Sequence, residues 1–154
     1  MSNARGVTVD RQGAQTFLTD TLKLAATEVE LIGEGAWSRC FGFRQAGEDL
    51  AIRFGHYGDD FRKDQFAYRY TTPALPIPQV HAIGQAFGGY YAISTRVHGI
   101  PLEQVDAAQW HTLVPAVVAA LEAMRLADIA DTVGFGGWDA QGQAGEASWS
   151  SRLL

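Results

Sequence analysis

Apolar residues recur at helical spacing over residues 10–26, where Phe17, Leu18, Leu22 and Leu24 predict one amphipathic helix. From Val29 onward the rhythm shortens. Residues 28–31 alternate, Cys40-Phe41-Gly42-Phe43 is apolar and aromatic, and residues 50–54 are apolar except for Arg53. This pattern predicts three consecutive strands, antiparallel because the links between them, including a turn over 45–49, are too short for crossover helices. Residues 55–60 break the pattern, and 61–70 predict a helix that partly buries Phe61, Phe66 and Tyr70. Pro73, Pro76 and Pro78 forbid a continuing helix and favour extended chain. Two further strands are predicted over 79–84 and 89–97, around the turn at Phe87-Gly88-Gly89. Residues 102–127 place Leu113, Val117, Leu121 and Met124 on one face, as in a long packed helix, which sets a boundary near 97–101.

The length of 154 residues suits one core, or a small lobe with an appended element. With 47% apolar, 19% charged and 11% aromatic residues, the chain has the composition of a folded soluble protein. A net charge of -5 gives no electrostatic reason to expect nucleic acid or anionic lipid as a partner, so any phosphate must be bound by a local device. The single Cys40 excludes an intramolecular disulfide and a cysteine-based metal cluster, and a reducing cytoplasm is the expected compartment. No apolar run reaches the roughly 18 residues of a membrane span. The N-terminus shows no basic stretch followed by an apolar core, so neither export nor anchoring is expected.

The segment Leu31-Ile32-Gly33-Glu34-Gly35-Ala36-Trp37-Ser38-Arg39-Cys40 carries the first chemical signal. Glycines at this spacing let a hairpin turn approach a phosphate with its backbone N–H groups unobstructed. Taken alone, the segment also fits an ordinary glycine-containing hairpin. A dinucleotide fingerprint would place a helix directly after the glycines, whereas here a strand follows; strand, glycine turn, strand is the order of a kinase phosphate-covering loop. Leu50-Ala51-Ile52-Arg53 then stands where a kinase third strand carries its cation, with Arg in place of Lys. Small Ala51 leaves room for an adenine ring, and Asp64 on the next helix offers a carboxylate to hold the guanidinium.

In order, the loop 33–38, Arg53, residues 60–69, Ala74-Leu75-Pro76-Ile77-Pro78-Gln79-Val80, Tyr91-Ala92-Ile93-Ser94-Thr95-Arg96-Val97-His98-Gly99 and Gly134-Phe135-Gly136 make the chain resemble the aminoglycoside phosphotransferases, and within them the hygromycin B phosphotransferase branch. The resemblance covers almost the whole sequence. It implies an α+β fold: a protein-kinase-like N-terminal lobe over residues 1–97, with a five-stranded antiparallel sheet and a flanking helix, a hinge at 98–101, and the helical start of a C-terminal lobe over 102–154. It further implies an ATP site. Ile32 and Cys40 would cover the adenine beside Ala51, while Gly33, Glu34 and the backbone of Gly35, Ala36, Trp37 and Ser38, with the Ser38 hydroxyl, would face the phosphates. The Thr95 carbonyl and Val97 N–H would pair with the adenine edge, and Arg53 with Asp64 would clamp the phosphates. The family has lysine or arginine on that strand and glutamate or aspartate on that helix, so Asp64 is a short version of the pair.

In the family, transfer uses a His-x-Asp loop followed five residues later by Asn, and a second Asp that also binds Mg²⁺. The only asparagine here is Asn3, ahead of every predicted strand, so the pattern is absent from this sequence and no catalytic residue or metal ligand is assigned. Other candidates do not replace it. His56 reads as a loop residue beside Asp59 and Asp60, His98 shapes the hinge, and His81 and His111 have no ligand at metal spacing. Asp139 follows glycines and reads as a loop residue. Residues 133–154 resemble the connection that precedes the catalytic helices in the hygromycin branch. Three readings follow: the ATP-binding portion of an antibiotic phosphotransferase, inactive alone and needing Mg²⁺ only with the missing lobe; a noncatalytic nucleotide-binding or interaction module; or a small dimerising scaffold. In each, the apolar face of 102–127 needs cover from the small lobe, a second copy or a complementary C-terminal lobe.

Overall fold

The computed structural model describes residues 7–153. They form two compact units, one running through Gln65 and resuming over Gln79–Arg96, the other made of Phe66–Pro78 and the chain from Val97 onward.

The first unit is built on a five-stranded antiparallel sheet in the order β1-β2-β3-β5-β4, with β1 at Thr27–Glu34, β2 at Ser38–Gln45, β3 at Glu48–Gly55, β4 at Val80–Ala86 and β5 at Gly89–Thr95. All five expected strands are present and antiparallel. Because directly paired residues share a face of a sheet, the register sorts the side chains into two sets. Phe41, Ile52 and Ile93 lie on one face with Phe54 and Tyr91, and α1 (Arg11–Thr16) with the wide turn Phe17–Thr21 covers it. Phe41, Phe43, Ile52, Phe54 and Leu18 are almost fully excluded from solvent there, and the Phe17 ring meets those of Phe54 and Tyr91 edge-on at 5.7 and 5.1 Å. Cys40, Arg53 and Ala92 lie on the other face, followed by Gly42, Ala51 and Ser94. Helix α2 (Gly58–Ala67) covers the Ala92 end of this face through Phe61, which clusters with Ala92 and with Val80 of β4.

The helix expected over 61–70 is α2, beginning three residues earlier, with a 3₁₀ turn over Tyr68–Tyr70, and the strand expected over 89–97 ends at Thr95; the other two helices depart further. The helix expected over 10–26 begins on time, capped by the Asp10 carboxylate, which accepts from the Gly13 N–H at 2.7 Å. It stops at Thr21, because Lys23 adopts a left-handed φ of 58° and the Leu22 and Leu24 N–H groups turn back to the Phe17 and Leu18 carbonyls. The helix expected over 102–127 is a single 3₁₀ turn, Leu102–Gln104, and then α3, Ala107–Arg125. Asp106 starts the helix afresh with a capping box: its carboxylate accepts from the Gln109 N–H at 2.8 Å, and its own N–H donates to the Gln109 side chain at 2.9 Å.

Within the second unit, Phe66 meets Trp138 edge-on at 5.9 Å and Tyr70 lies tilted against it at 6.1 Å between ring centres. These contacts join 66–78, expected with the first lobe, to the later chain. Asp139 is the turn residue anticipated from sequence: its carboxylate accepts from the Gln141 and Gln143 N–H groups at 2.8 and 2.9 Å. A short helix, α4 (Trp149–Leu153), ends the described chain. No residue of α3 is buried. Leu113 and Val117 are half-buried, whereas Leu121 and Met124 are 59% and 56% exposed, so the apolar face expected to be packed is open toward its C-terminal end.

Candidate functional site

The glycine segment forms the hairpin between β1 and β2. Its turn is closed by the Gly35 N–H, which donates to the Ser38 carbonyl at 3.0 Å, so this amide is engaged within the loop. Around Gly35 the space where a side chain would start is open. Glu34 is held by Arg39, whose guanidinium donates to its carboxylate at 2.5 and 3.0 Å and to the Val9 carbonyl at 2.9 Å. That brace fixes the base of the hairpin. Trp37, at its tip, is exposed and tilts over the Tyr57 ring at 6.3 Å.

Arg53 projects from β3 beside Cys40 and ion-pairs with Asp64 on α2. Its guanidinium also lies over the Phe61 ring at 4.8 Å, which fixes its plane. Both partners stay open to solvent, Arg53 at 40% and Asp64 at 50%. An ion pair this exposed contributes only about 0.2–1 kcal/mol to folding, so its consequence is orientation of the cation rather than stability. Arg53, Asp64, Asp60, Ser38, Trp37, Gly55, His56, Tyr57 and Phe61 line one cavity of about 150 Å³. The structure therefore brings Ser38, Trp37, Arg53 and Asp64 to one place.

Ala51, Cys40, Ile32, Thr95 and Val97, also expected in the site, do not line this cavity. Ala51 is buried and Cys40 half-buried on the same open face as Arg53, while Ile32 on edge strand β1 is partly exposed. Burial pushes the Cys40 thiol above its ordinary pKa, against the opposing pull of the Arg53 and Arg96 charges. At the end of β5 the Thr95 hydroxyl meets the His81 ring at 3.1 Å, and its N–H donates to the Gln79 carbonyl at 3.0 Å. Val97 is exposed and falls in the second unit. Sequence reasoning missed Phe61 as the platform for Arg53 and Tyr57 as a neighbour of Trp37. It also passed over Arg96, whose guanidinium pairs with Glu30 at 2.9 Å and lies 3.7 Å from Asp49. For Phe61 a signal existed, since it precedes Asp64 by three residues and so shares its helix face.

Among the described residues no three His, Cys, Asp or Glu side chains converge as a metal site, and no helix is long and apolar enough to cross a membrane.

No protein-family model matches the chain. Over 127 residues it is 32% identical to the hygromycin-B 4-O-kinase of Escherichia coli, an alignment spanning 81% of this chain and 37% of that protein. Its fold matches the crystal structure of aminoglycoside phosphotransferase APH(4)-Ia with a TM-score of 0.86 and 29% identity, over 94% of this chain and 49% of that one. A thermostable mutant of APH(4)-Ia, solved as a ternary complex with AMP-PNP and hygromycin B, matches with a TM-score of 0.80 and 30% identity over 87% and 46% of the two chains. The chain thus spans about half the length of these solved relatives and little more than a third of the curated one.

Proposed function

We propose, from the premise that this chain is homologous to part of the aminoglycoside phosphotransferases, that it is the nucleotide-holding portion of a small-molecule kinase. The reaction it serves is transfer of the γ-phosphoryl group of ATP to a hydroxyl of an aminoglycoside or similar sugar-like acceptor. Arg53 meets the α- and β-phosphates, Asp64 and the Phe61 ring hold its guanidinium in plane, and the Ser38 hydroxyl approaches the phosphates from the hairpin. Cys40, Ala51 and Ile32 flank the adenine, with the Thr95 carbonyl and Val97 N–H on its edge. The observation that carries this reading is the Arg53–Asp64 pair in one cavity with Ser38. The AMP-PNP and ADP bound in solved relatives support the choice of nucleotide.

Transfer itself requires residues other than these 154, since the sequence has no His-x-Asp loop with its following Asn. Mg²⁺ belongs with those residues. Alone, the chain is expected to hold nucleotide without passing on phosphate. The open face of α3 favours a second role, in which Leu121 and Met124 are covered by a helical lobe or another copy of the chain.

Thermal stabilisation by ATP, compared between the unmodified chain and Arg53→Ala, tests the phosphate clamp. Losing a charge-assisted contact should weaken binding about 10- to 100-fold. Equal shifts in the two proteins would remove Arg53 from the site.

A further inference from the structure

The open face of the sheet carries two arginines, and the proposed function uses only one. Between them lies a strip of small residues, Gly42 on β2, Ala51 on β3 and Ser94 on β5, paired in register across the three strands. Arg53 stands at one end of this strip, beside Cys40. Arg96 closes the other. Its side chain is only 17% exposed, and its guanidinium reaches under the sheet to Glu30 on β1 at 2.9 Å, with Asp49 at 3.7 Å. The backbone is tied down as well: the Arg96 N–H donates to the Asp49 carbonyl at 3.1 Å, and the preceding Thr95 N–H to the Gln79 carbonyl at 3.0 Å.

Gly42 is the seat on which this bar rests. A Cβ at that position would stand 2.5 Å from Arg96 Nη1 and 2.8 Å from Cζ, inside any permissible contact. The guanidinium therefore lies flat on bare backbone. Arg96 faces two carboxylates where Arg53 is paired with one, which leaves Arg96 the less suited of the two to meet a phosphate. Its position suits a different task. A flat purine laid along Cys40 and Ala51 would meet the Arg96 bar as the end wall of its floor, and would find the Thr95 carbonyl held in place by the same ties.

Resting on the nucleotide reading above, we propose that Arg96 is a positioning residue for the nucleobase: clamped on Gly42 by Glu30 and Asp49, it ends the base floor and fixes the last residues of β5 against it. Arg53 governs the phosphates and Arg96 governs the base. The two contributions can be separated with a ligand that has no base.

Calorimetric titration of the full chain with ATP and with inorganic tripolyphosphate makes that separation, using the unmodified protein, Arg53→Ala, Arg96→Ala and Gly42→Ala. Gly42→Ala retains every charge and displaces only the guanidinium, which covers the case in which Arg96→Ala fails to fold. Arg96→Ala and Gly42→Ala should each weaken ATP about tenfold and leave tripolyphosphate unchanged, whereas Arg53→Ala should weaken both. Equal losses on the two ligands, or unchanged ATP affinity in Gly42→Ala, would overturn the role of Arg96 while leaving the nucleotide reading intact. An unmodified chain that binds neither ligand would overturn both.

Discussion

At Cys40 two influences oppose one another. Removal from water disfavours the thiolate, while the Arg53 and Arg96 charges favour it, and burial prevails. The folded chain therefore holds this proton more tightly than the unfolded chain does. Stability from this group is complete at neutral pH and is lost as pH climbs through and beyond the ordinary thiol range, since there the unfolded state binds fewer protons. Denaturant melts at rising alkaline pH should show a steeper fall for the unmodified protein than for Cys40→Ala. Thiol-directed alkylation should be slow at neutral pH and quicken as pH rises. Arg53 and Ala51 could be picked out from the sequence because they stand in a strand pattern, and Cys40 through the family resemblance. The seat of Arg96 on Gly42 could not, since it joins residues 54 positions apart through space.

Among the elements, the two tight hairpins show how one backbone geometry tolerates different residues for different reasons. Ala46 and Gly47 link β2 to β3 with φ of 51° and 87°, and Phe87 and Gly88 link β4 to β5 with φ of 51° and 74°. Positive φ at both central residues is the pattern of a type I′ turn, which favours Asn-Gly. Phe87 bears the strain in return for ring contacts with Phe17 and Phe54 at 5.5 and 5.3 Å. Ala46 is exposed and has no aromatic contact to offset its conformation. Ala46→Asn should raise stability by about 0.5–1 kcal/mol, read from the denaturation midpoint, and Phe87→Asn should lower it. Both turns were foreseeable from glycine placement. The end of the helical segment at Thr21 was not, because Lys23 takes a left-handed conformation that its residue type does not announce.

For the whole molecule, the open apolar side of α3 dominates the expected behaviour in solution. Leu121 and Met124 are more than half exposed, and Leu126 and Ile129 continue the apolar surface beyond the helix. Such surface associates unless covered. Light scattering across a concentration series should show self-association of the 154-residue chain, reduced by Leu121→Glu together with Met124→Glu; a monomer at every concentration would show that this face needs no partner. The sequence by itself determined the five strands, their antiparallel order along the chain, the glycine hairpin and the candidate cation on β3, because periodicity and turn residues act over a few neighbouring positions. Only the tertiary structure decided which face of the sheet stays open and that Arg96 crosses beneath three strands to Glu30. Those outcomes depend on strand order and register, which bring together residues whose separation in sequence carries no local signal.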